Sequence, residues 1–99
     1  MPMYVSLLSF TEQGIRGIKD SPKRLKVSKA IAKSLQGRIV DVYLTMGKYD
    51  IIWVVEFPDD QAAAKFALAI GSRGNVRTTT LVAFPENEYR KVIAGIPRV

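Results

Sequence analysis

Six side chains of this sequence have types suited to a working site: Ser6, Tyr43, Thr45, Trp53, Glu56 and Arg77. Tyr43 and Trp53 can form an aromatic wall against which an organic ring stacks. Ser6, Thr45 and the nearby Asp41 can orient a ligand by hydrogen bonds. Glu56 ends an otherwise apolar run. There it could carry a raised pKa and serve as a general acid or base, or pair with Arg38 or Arg77, the commoner arrangement. Arg73 and Arg77 can contact an anion. Each residue also has a plainer role. A lone tryptophan in a strand most often packs in the core, and strand hydroxyls most often bond to water or across an interface.

What is missing narrows the chemistry. Histidine and cysteine are both absent from the 99 residues. That excludes Ser-His-Asp and Cys-His catalysis, thiolate or imidazole metal sites, and disulfides. Proton transfer would fall to Asp, Glu, Lys or Tyr. Gly71-Ser72-Arg73-Gly74-Asn75 lacks the Gly-Lys-Ser/Thr ending of a phosphate loop. It also follows a helix, where the dipole disfavours anions. No cofactor or metal is expected.

The elements that must position these residues follow from pattern. Met3 to Phe10 is β-rich and predicts a strand. Thr11 can cap a short helical turn, and Ser21-Pro22 opens a longer helix to Gln36, with Gly37 as its stop. On the wheel of that helix Leu25, Ser28, Ile31, Ala32 and Leu35 share one side, opposite Lys26, Lys29 and Lys33 with Lys23 near the edge. Arg38 to Met46 and Asp50 to Phe57 read as a hairpin turning at Gly47-Lys48-Tyr49. Asp59 caps an alanine-rich helix, Gln61 to Ile70; Asn75 to Phe84 is a fourth strand, and Glu86 to Ala94 a tail helix. The order β-α-β-β-α-β is the split βαβ, ferredoxin-like arrangement of an α+β fold. Its length suits a single domain, 1–99.

One sheet face should be polar if water covers it. The run Ile51 to Phe57 is instead apolar on both parities, and Tyr4 to Phe10 is mixed. A second copy of the chain, sheet against sheet, is the simplest cover, which predicts a homodimer or larger homo-oligomer. Hairpin register decides where Trp53 sits. A two-residue turn pairs it with Val42 on the helix side; a three-residue loop pairs it with Tyr43 on the open side. The open side is expected, because Tyr43 and Trp53 would then form one aromatic wall.

Net charge is +6, from 15 Lys+Arg against 9 Asp+Glu. This permits nucleic acid, anionic lipid or an anionic small molecule as partner without choosing among them. The strand Asp50 to Phe57 lacks the Arg/Lys-Gly-aromatic start of RNA-recognition strands, so nucleic acid has little support. The sequence carries no signal peptide pattern and no run of roughly 20 apolar residues. A cytoplasmic location is the simplest expectation.

Several segments resemble the GYD domain family: Leu44-Thr45-Met46-Gly47-Lys48-Tyr49-Asp50, Val55 to Asp60, Ser21-Pro22-Lys23-Arg24, Gly74-Asn75-Val76-Arg77-Thr78 and Tyr4-Val5-Ser6-Leu7. The resemblance covers essentially the whole chain and implies a small, dimeric α/β barrel-like protein. It implies no particular activity. Three functions stay open. A homo-oligomeric protein binding a small organic molecule in a sheet-lined cavity is ranked first. A cofactor-independent isomerase or monooxygenase follows, by analogy with similar dimeric α/β barrels. A structural or nucleic-acid interaction module acting through the basic helix is third.

Overall fold

The computed structural model describes residues 1–98; Val99, the last residue of the expected domain, lies outside the described residues. Strand β1 (Met3–Phe10) leads into α1 (Glu12–Arg16), a 3-10 turn (Ile18–Asp20) and α2 (Ser21–Ser34). The hairpin β2 (Arg38–Leu44) and β3 (Ile51–Glu56) follows, then α3 (Asp60–Ser72), β4 (Val76–Ala83) and α4 (Glu86–Ala94). The strands form one sheet in the order β2-β3-β1-β4, with every neighbouring pair antiparallel. This is the α+β, ferredoxin-like arrangement that the sequence predicts. No helix among the described residues is long and apolar enough to cross a membrane.

Helices α2 and α3 cover one face of the sheet. Tyr4, Leu8, Trp53, Val55 and Phe57 meet Ala32 from α2 and Ala63, Phe66 and Ile70 from α3 in the core. Three aromatic rings bind the layers together. Phe57 and Trp53 lie 4.9 Å and 5.9 Å from Phe66, centroid to centroid. Pairs of this kind contribute roughly 0.5–1.5 kcal/mol beyond the area they bury. The apolar side of α2 is the expected one: Ser28 and Ala32 are buried, and Leu25, Ile31 and Leu35 pack against the core.

Register departs from expectation. Val42 pairs with Trp53, Tyr43 with Ile52 and Leu44 with Ile51. Trp53 therefore shares the helix-covered face with Ser6, its partner on β1, and is only 4% exposed. Tyr43 emerges on the other face, so the two rings form no common wall. The physical reason is the turn. Its pairing centres between Gly47 and Lys48, with Gly47 at φ 142° and the Thr45 N–H donating to Asp50 O at 2.8 Å. That register puts the largest apolar side chain of β3 under Phe66, where burial is worth most.

Helix termini differ in detail. Thr11 caps α1, accepting from the Gly14 N–H at 3.1 Å, and Asp59 caps α3, accepting from the Ala62 N–H at 2.8 Å. Ser21 does not cap α2; it is the first helical residue, and Asp20 precedes it without a side-chain bond. Left-handed backbone after α2 falls on Gln36, at φ 62°, and not on Gly37. Gly37 is required for another reason. A Cβ there would stand 2.3 Å from Phe57 Cδ1 and 2.4 Å from Glu56 O.

The tail behaves differently from the body. No residue of α4 is buried, and Tyr89, Val92 and Ile93 are each about half exposed. The molecule is accordingly 53 Å along its longest axis and 18 Å along its shortest.

Candidate functional site

A cleft of about 370 Å³ opens between the start of α2 and the covered face of the sheet, within the range of small-molecule sites. Four elements end there. Leu8 and Phe10 close β1, Val42 and Leu44 close β2, Ile51 opens β3 and Val76 opens β4. Leu25 and Ile18 form the opposite wall, and Trp53 lines the cleft. The hairpin that carries Gly47-Lys48-Tyr49-Asp50 is anchored at this end. The Asp50 carboxylate accepts from the Phe10 N–H at 2.8 Å, and the Asp50 N–H donates to Leu8 O at 2.8 Å.

Polar groups at the cleft fall into two kinds. Ser28 Oγ is satisfied, donating to Arg24 O at 3.0 Å. Asn75 Oδ1 accepts from Gln13 Nε2 at 2.9 Å. The indole Nε1–H of Trp53 is buried and has no acceptor among the described residues. An unpaired buried donor costs roughly 1–3 kcal/mol. Charge is one-sided. Among the described residues, the charged ones lining the cleft are Arg24 and Arg73, without a carboxylate.

A smaller cavity, about 220 Å³, lies between α3 and β4. Its polar pair is already closed, since Tyr4 OH donates to Asp60 Oδ1 at 2.6 Å. Burial first, and then that hydrogen bond, pushes the Tyr4 phenol from 10.0 up to about 12.

The residues singled out from sequence are distributed over both faces of the sheet and are not gathered into one site. Trp53 and Ser6 sit on the covered face, both buried. Tyr43 is 55% exposed; its pairing places it on the open face, at the rim of the cleft. Thr45 serves the hairpin, its hydroxyl donating to Tyr49 O at 2.5 Å. Glu56 lies on the open face and pairs with Arg38 at 2.6 Å, the pairing that competes with an acid-base role. Arg77 is opposite Ser9 on the open face. Arg24 is not among these candidates. Its signal is present in the sequence: it lies one turn before Ser28, a cation on the apolar side of an otherwise well-sorted helix.

The sequence pattern of the GYD domain matches residues 4–93. The chain belongs to the GYD domain family. It is 35% identical over 86 residues to the "Glutamine synthetase and cystathionine beta-lyase binding protein" of Thermus thermophilus, an alignment spanning 86% of this chain and 90% of that protein. A solved structure, the crystal structure of TTHA0845 from Thermus thermophilus, superposes with a TM-score of 0.56 and 23% identity, over 86% of this chain and 95% of that one. This second likeness speaks for the fold. The GYD signature now has a physical content here: Gly47 makes the turn and Asp50 ties the hairpin to β1 beside the cleft.

Proposed function

We propose that this GYD domain protein is a homo-oligomeric small-molecule-binding protein, with its ligand held in the cleft between α2 and the sheet. The observation that carries this reading is Trp53. It lines an apolar cleft of ligand size and leaves its Nε1–H buried without a partner among the described residues. A ligand with an apolar body would fill that cleft and pack against the indole. Assembly belongs to the opposite face. Val5, Leu7, Ile52 and Val54 form a partly buried apolar strip there, flanked by Leu81 at 49% exposure. Sheet-to-sheet contact with a second copy would cover it. A cytoplasmic setting fits this reading.

Native mass spectrometry of the purified protein, gentle and then denaturing, tests both halves. The expected result is a dimer or larger assembly that releases a small organic mass. A clean monomer overturns the assembly. Absence of any thermal shift across a panel of neutral and charged apolar compounds overturns the ligand reading.

A second reading rests on the Thermus relative, whose name records binding to two enzymes. On this reading the open face docks onto other proteins. Purified glutamine synthetase and cystathionine β-lyase are the partners to try by analytical ultracentrifugation. Co-sedimentation that Ile52→Lys abolishes supports it, and failure of both enzymes to co-sediment removes it.

A further inference from the structure

We infer that the cleft ligand is an amphipathic organic anion, an apolar body ending in a carboxylate or similar acid group. This rests on the small-molecule reading above and adds the charge of the ligand to it. The lining is mostly apolar, yet among the described residues its ionised groups are of one sign, Arg24 and Arg73. Neither arginine makes an ion pair with a carboxylate among the described residues, whereas Arg16, Arg38 and Arg90 each do. An unpaired guanidinium at the edge of an apolar cleft is a directional anion receptor.

Both arginines are tied to α1, Arg24 by its side chain and Arg73 by its backbone. Arg24 Nη2 donates to Gly14 O at 3.2 Å, and this uses one of five guanidinium N–H groups. Arg73 is tied through its backbone, its carbonyl accepting from Gln13 Nε2 at 3.1 Å. The α1 segment is itself fixed against the turn before β4. The Thr11 hydroxyl donates to Gly74 O at 2.6 Å, and a Cβ on Gly14 would stand 2.0 Å from Asn75 O. The Arg24 guanidinium is therefore set in place before a ligand arrives, which lowers the ordering cost of binding. The acid group would meet Arg24 and Arg73, and the body would run along Leu25, Leu8 and Ile51 to the wall at Trp53.

Isothermal titration calorimetry with octanoate and 3-phenylpropanoate, each beside its primary amide, tests this. The carboxylates are expected to bind about tenfold tighter than their amides, the difference that one charge-assisted contact supplies. Trp53, the single tryptophan, should report binding by a shift in emission. Arg73→Gln, at an exposed position, should bring the carboxylates toward the amides and leave the amides unchanged. Arg24→Lys, which keeps charge and loses the fork, should fall between. Arg16→Gln, away from the cleft lining, should change nothing. Acid and amide binding equally, or carboxylate binding indifferent to both cleft arginines, overturns the anion inference and leaves the cleft as a ligand site. If acids and amides alike fail to bind while a neutral apolar compound does, the anion inference again falls alone. Silence from every compound removes both.

Discussion

The two faces of this sheet are built from the same strands and do different things. On the covered face, alternate residues Tyr4, Ser6, Leu8, Trp53 and Val55 are buried under α2 and α3. On the open face the intervening Val5, Leu7, Ile52 and Val54 are only partly buried, and Tyr43 and Leu81 are half exposed. Apolar side chains are present on both. The difference teaches that composition does not locate a core. What locates it is which parity the helices cover, and one turn decides that for the hairpin.

Substitutions that treat the faces unequally sharpen the comparison. Phe66→Ala removes the ring that meets both Trp53 and Phe57. It should cost about 3–5 kcal/mol by urea unfolding, against about 1 kcal/mol for Val54→Ala on the open face. Equal costs would break the distinction between the faces. Gly37→Ala drives a methyl into Phe57 and Glu56 O; a loss of roughly 1–3 kcal/mol or more is expected, read as a drop in the urea midpoint.

Tyr4 tests the covered face by pH. Its folded-state pKa, about 12, lies above the ordinary 10.0. The unfolded chain therefore loses the proton first as pH rises. The stabilisation is fully present below pH 10, and it is lost as pH climbs toward about 12. Tyr4→Phe should remove this alkaline slope and cost about 1 kcal/mol at neutral pH for the lost hydrogen bond. An unchanged slope in that variant would show that Tyr4 is not its source. The smallest effect is expected on the open face. Arg38 is 67% exposed in its pair with Glu56, and Arg38→Gln should leave the urea midpoint nearly unchanged.

Elements with one dominant period are legible in the sequence. The stripe of α2 from Leu25 to Leu35 and the tail helix 86–94 stand as the pattern predicts. The facing of β3 is not, because residues of both parities are apolar and alternation gives no preferred face. Trp53 is therefore expected on the wrong side even though its neighbours are correctly placed in a strand. The cleft is harder still. It is made by the ends of strands from distant parts of the chain, and only Trp53 and Tyr43 among the six candidates reach it. Glu56 illustrates the converse. Its two candidate partners, Arg38 and Arg77, cannot be separated without register, and pairing across β2 and β3 selects Arg38.

The exposed tail helix has a consequence for how the protein can change over generations. Sheet and core are complete by Ala83, and α4 contributes no buried residue to either. Substitutions along Tyr89, Val92 and Ile93 are therefore scarcely screened by folding. Lineages can rewrite this segment while inheriting the cleft unaltered.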